Sequence, residues 1–152
     1  MAFHKMPTNN VLTINGVTSI PGATATAGGA ISAARVLTAA DSGSTFLLTQ
    51  GGASFRIDLP APAGGMFFKF VLETEGSASI NIQTLNTGSE FYIGSYDNAG
   101  TATAAVSSAV QVQFKNAALT GDTVELSAAS STKWFFTGRC VATGGVITDV
   151  SA

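Results

Sequence analysis

Ser54-Phe55-Arg56-Ile57-Asp58-Leu59 decides the fold class. Phe55, Ile57 and Leu59 alternate with Ser54, Arg56 and Asp58. In an extended chain successive side chains point to opposite faces, so this spacing predicts a strand with one dry and one wet face. Working outward, the same alternation recurs in Ala78-Ser79-Ile80-Asn81-Ile82-Gln83, in Val110-Gln111-Val112-Gln113-Phe114-Lys115 and in Thr123-Val124-Glu125-Leu126. Ala53-Ser54-Phe55-x-Ile57 and Ala78-Ser79-Ile80-x-Ile82 echo each other 25 residues apart. Without a third copy they read as two similar strands rather than a repeat.

Two segments are more apolar. Met66-Phe67-Phe68-Lys69-Phe70-Val71-Leu72 would turn Phe68, Phe70 and Leu72 to the core, leaving Phe67 and Val71 outside with Lys69. Trp134-Phe135-Phe136-Thr137-Gly138-Arg139-Cys140-Val141 puts Trp134, Phe136 and Cys140 on one face. Further strands are expected in residues 11–19, 35–37, 45–49 and 91–95, giving about ten short strands at sandwich-like spacing. Pro60-Ala61-Pro62-Ala63-Gly64-Gly65 separates two strands, and Glu75-Gly76-Ser77 has the length of a tight hairpin. Further turns are expected at Thr120-Gly121-Asp122 and Ala129-Ser130-Ser131-Thr132. Thr38-Ala39-Ala40-Asp41 resembles a capping box that could close a single helical turn. The expected fold class is all-β, an antiparallel β-sandwich or jelly-roll-like domain. An N-terminal arm at residues 1–10 would precede a single domain at 11–152.

Residues 21–34 and 94–109 are low in complexity and predict long surface connections ordered against a neighbour. Ala, Thr, Gly and Ser supply about half of the 152 residues, and charged residues only 11%. A net charge of −2 argues against a nucleic-acid partner, which calls for a basic patch. No apolar run approaches the roughly 20 residues of a membrane helix, and no signal-peptide core is visible, so no membrane partner is expected. A lone cysteine, Cys140, excludes an internal disulfide and fits a reducing compartment such as a cytoplasm.

Catalytic chemistry finds few candidates. His4 is the only histidine, and it sits in the arm. Glu73 and Glu75 share a strand face, which reads as a solvated strand end. Asp97-Asn98-Ala99-Gly100 reads as a turn rather than a calcium loop. No phosphate-binding or nucleophile-elbow motif occurs. The expectation is a protein that is not an enzyme and needs no cofactor and no metal. Trp134 alternates with Phe136 and reads as core. Tyr92, out of phase with Phe91 and Ile93, and Tyr96 are the candidates for an exposed ligand-contacting loop. A nearly uncharged surface with apolar residues on outward strand faces points to coverage by other copies or a larger assembly.

Three stretches carry a family resemblance. They are Arg35-Val36-Leu37-Thr38-Ala39-Ala40-Asp41-Ser42-Gly43-Ser44-Thr45-Phe46, then the Phe55 to Val71 step through Leu59-Pro60 and Gly65, and then Gly121-Asp122-Thr123-Val124-Glu125-Leu126 followed by Lys133-Trp134-Phe135-Phe136-Thr137-Gly138. Together they resemble tailed-bacteriophage virion structural proteins, namely capsid decoration (cement) proteins and related tail-fibre β-modules. The resemblance implies a homotrimer that binds the major capsid protein on the exterior of the virion. The arm, with Phe3, His4, Lys5 and Met6, lies outside these motifs and is assigned to capsid contact. The alternative is a tail-fibre or tail-tip module that binds a receptor or glycan through Tyr92 and Tyr96. A polysaccharide depolymerase fits least, because its paired carboxylates are missing.

Overall fold

The computed structural model describes residues 31–105 and 108–149. The arm, with Phe3, His4, Lys5 and Met6, and the strand expected at 11–19 lie outside them. The elements run β1 Arg35–Val36, a 3₁₀ turn Ala39–Asp41, β2 Ser44–Thr49, β3 Phe55–Asp58, β4 Phe67–Thr74, β5 Ile80–Gln83, β6 Phe91–Asn98, β7 Thr101–Ala104, β8 Gln111–Phe114, β9 Thr123–Ala128, β10 Lys133–Cys140 and β11 Val146–Asp149. They form a β-sandwich of two sheets, β1-β3-β5-β8-β11 and β2-β4-β9-β10-β6-β7. The Thr38 box closes its turn as expected. The Thr38 N–H and hydroxyl both donate to the Asp41 carboxylate, at 2.8 and 2.9 Å.

The sheets are mixed, which corrects the antiparallel expectation. From β1 to β6 each connection carries the chain across the core into the other sheet. Strands two apart in sequence therefore lie side by side and run the same way. β1 pairs β3 in parallel, β3 pairs β5, and β2 pairs β4. Glu75-Gly76-Ser77 is accordingly not a hairpin, because β4 and β5 belong to different sheets. It is an arch, and so is the Pro60 to Gly65 segment. The 25-residue echo is a register: Phe55 lies opposite Ile80, and Ile57 opposite Ile82. Matched side chains recur because each arch stacks on the one before. The segment at 94–109 is not one long connection either. β6 and β7 form a hairpin closed by Ala99 (φ 53°) and Gly100 (φ 83°), the two left-handed positions of a two-residue loop.

Alternation becomes burial where it was expected. β10 alternates strictly, with Trp134, Phe136, Gly138 and Cys140 inward. Phe68, Phe70 and Leu72 of β4 are fully buried. Phe46 stacks on Phe70 at 5.5 Å, and Phe68 meets Trp134 at 5.6 Å. Facing them from the other sheet are Ile57, Ile80, Ile82, Val112, Phe114 and Val146. Each such side chain is worth about 1.5–3 kcal/mol relative to exposure.

Polar side chains tie the sheets together. Gln50, just after β2, is 3% exposed. Its amide donates to the Lys115 carbonyl at 2.8 Å, and its oxygen accepts the Gly76 N–H at 3.2 Å. The stacked arches and the end of β8 thus meet at one side chain. Gly76 must be glycine, because a Cβ there would collide with the Gln50 carbonyl. Gln50→Ala strands a buried donor and acceptor and should cost about 1–3 kcal/mol. Gly76→Ala should cost a similar amount, roughly 1–3 kcal/mol, through overpacking. Urea titration of each variant against wild type checks both.

Candidate interaction surface

The six-stranded sheet fixes what its outer face presents. Strand register aligns Phe67 of β4, Ser127 of β9, Phe135 of β10 and Ile93 of β6 in one row. Phe67, Phe135 and Ile93 remain 38%, 46% and 42% exposed. Ser127 is the small member of the row, and a notch of about 120 Å³ opens between the two phenylalanines above it. Beyond Ile93 the face continues into a groove of about 380 Å³, lined by Phe91, Ile93, Gly94, Ala104, Ala105 and Lys133 among others. The next row holds Thr45, Lys69, Glu125, Thr137 and Ser95. Lys69 Nζ and Glu125 Oε1 meet there at 2.7 Å. Both side chains are more than a third exposed, so the pair contributes little stability and mainly cancels its own charge. The third row adds Leu47 beside Val71. The result is a face that is apolar along one side and close to neutral elsewhere.

The five-stranded sheet presents the opposite character. On the face away from the core, Arg56, Asn81 and Gln113 form one row and Asp58, Gln83 and Gln111 the next, and the three glutamines are buried. Arg56 Nε and Asp58 Oδ1 lie 2.7 Å apart, and an Arg56 amine donates to Gln83 Oε1 at 3.4 Å.

The two tyrosines are a correction. Tyr92 and Tyr96 are 2% and 8% exposed, so neither is available as a loop contact. Tyr92 does lie on the face opposite Phe91 and Ile93, as its phase implied. That face is the core, while Phe91 and Ile93 are the outward pair. The Tyr92 hydroxyl donates across the sandwich to the Ile82 carbonyl at 3.2 Å. Burial, with Glu90 nearby, holds its pKa well above the ordinary phenol value. Tyr96 stacks on Phe136 at 6.4 Å. Asn98, on the same face, binds both the N–H and the carbonyl of Val146 on the other sheet.

The carboxylates the chain buries are turn staples. Asp122 accepts the N–H groups of Leu119 and Val141, and Glu90 accepts from Asn86. Glu73 and Glu75 stay exposed at a strand end, with Glu75 accepting the Thr120 N–H at 2.8 Å. Among the described residues no three His, Cys, Asp or Glu side chains converge on a metal position. Burial, with Asp122 beside it, pushes the Cys140 thiol up to about 12, so it stays protonated near neutrality. No protein-family model, curated protein or solved structure matches the chain.

Phe67 and Phe135 contribute to a surface rather than to the core. The double variant Phe67→Ser/Phe135→Ser should therefore cost less stability per residue than truncating a core phenylalanine, which costs about 3–5 kcal/mol, while lowering fluorescence of a bound hydrophobic dye. Titration behaviour is also fixed. A folded thiol pKa raised from 9.0 to about 12 leaves stability intact below pH 9.0 and removes it progressively as pH rises toward 12. Tyr92 acts in the same direction from its ordinary value of 10.0 upward. Urea midpoints measured between pH 7 and 11 should fall above pH 9, and Cys140→Ala should delay that fall until the tyrosine range.

Proposed function

We propose that this chain is a structural protein of a virus particle, a decoration protein that binds the outside of an assembled bacteriophage head as a homotrimer. The observation that carries the reading is the apolar row Phe67, Phe135 and Ile93 on an otherwise nearly neutral sheet face. Such a face is poorly suited to permanent exposure, because low charge and contiguous apolar area promote association. Three copies around a local three-fold position would clamp neighbouring subunits of the major capsid protein. A protein that binds only the closed shell stabilises it by mass action, and interfaces of ordinary size suffice. The role is mechanical and asks for no catalytic group, cofactor or nucleic-acid contact. Assembly would follow synthesis in the host cytoplasm.

The motifs running from Arg35 to Gly138 support the same reading. The tail-tip alternative loses its motivating residues, because Tyr92 and Tyr96 are core side chains. The test is addition of purified chain to heads that lack a decoration protein, followed by cryo-electron microscopy. Added density at three-fold lattice positions, with greater resistance of the heads to heat, is the expected result. Heads that stay bare at saturating protein would overturn the proposal.

A further inference from the structure

The described residues contain four sheet edges, β1, β11, β2 and β7. An unpaired edge strand offers free N–H and C=O groups to another chain, and proteins usually blunt such edges. Three of the four are blunted here. β1 is only two residues long and carries Arg35. On β11 the backbone groups of Val146 are taken by the Asn98 side chain. On β2 the Leu47 carbonyl and the Thr49 N–H are taken by Ile31, at 2.7 and 2.8 Å.

Among the described residues β7 has no such guard. Thr101-Ala102-Thr103-Ala104 is exposed at every residue and carries no charge, proline or bulge. The Ala105 N–H donates to the Gly94 carbonyl. In an antiparallel ladder inward and outward residues alternate. Thr101 and Thr103 therefore turn their backbone groups to β6, while Ala102 and Ala104 turn theirs outward. The hairpin turn at Ala99 and Gly100 holds the strand in this position.

We propose that β7 is a self-association edge, which pairs antiparallel with β7 of a second copy about a two-fold axis. The second copy offers the same choice of edges, and its β7 is the matching open one. The register that uses every outward group places Ala102 opposite Ala104 of the second copy. It centres the axis on Thr103, where two threonines face each other in the close, non-hydrogen-bonded pair. An isologous contact of this kind joins copies in pairs. It requires no capsid, so it stands or falls separately from the decoration reading.

The test is oxidative cross-linking of Thr103→Cys. Paired Cα atoms about 4.5 Å apart lie within disulfide range. Cys140 is 4% exposed, so the wild-type chain serves as the control. The expected result is a covalent dimer in Thr103→Cys and none in wild type. Ala104→Pro removes an outward N–H from each copy and spares the bonds to β6. It should weaken dimerisation in sedimentation equilibrium about tenfold and leave the circular-dichroism spectrum unchanged. Ala102→Lys, which places charge on the edge without touching backbone geometry, should weaken it in the same way and covers the case in which Ala104→Pro does not fold. Absence of a covalent Thr103→Cys dimer, or dimerisation unaltered in a folded edge variant, would overturn the proposal.

Discussion

The whole sandwich depends on the in-register stacking of the arches. An arch buries one face of each of its two strands but makes no backbone hydrogen bonds between them. Those bonds must come from the next arch, so the strands of β1, β3 and β5 and of β2 and β4 can only be parallel. The loops are stacked as well. The Gln50 N–H donates to the Thr74 carbonyl, and the Ser54 hydroxyl accepts the Ser79 N–H. Gln50 carries the heaviest duty, since its buried side chain satisfies groups on two other segments. A slip of one residue would turn every apolar side chain outward, which is why the register is firmly set.

That constraint also shapes the surface. Once alternate side chains are committed to the core, the others are delivered to the outside in rows that the register fixes. On the five-stranded sheet the rows are amides and a compensated Arg56–Asp58 pair. On the six-stranded sheet one row is aromatic and aliphatic. The first face is polar with its glutamines buried, while the second is apolar and exposed along Phe67, Phe135 and Ile93. The outer strand of the apolar sheet, β7, adds an edge of bare backbone beside a groove partly formed by Ile93.

Much of this was legible in the sequence. Period-2 alternation found β3, β4, β5, β8, β9 and β10 and assigned the inward residues of β4 and β10. The outward positions of Phe67 and Phe135 follow from the same rule. Topology was not legible, because alternation states which side chains share a face and not which strand lies next door. Pro-, Gly- and Ser-rich segments look alike whether the chain folds back as a hairpin or crosses as an arch. The 25-residue echo held the missing information, and it becomes readable only once Phe55 is seen opposite Ile80. Tyr92 and Ile93 were exchanged for a related reason. β6 has aromatic or aliphatic residues on both faces at its start, and the buried face is chosen by what lies across the sandwich, where the Ile82 carbonyl receives the phenol.

The central claim is that the apolar face and open edge of the six-stranded sheet are covered by other copies of the chain. Paramagnetic relaxation from a soluble gadolinium chelate, read by NMR on the methyl groups of dilute and concentrated protein, tests it most directly. Relaxation should fall with concentration at Leu47, Ile93, Ala102 and Ala104, and stay constant at Val36 and Val141, which are 67% and 69% exposed elsewhere. Relaxation that is independent of concentration at all six positions would contradict the claim.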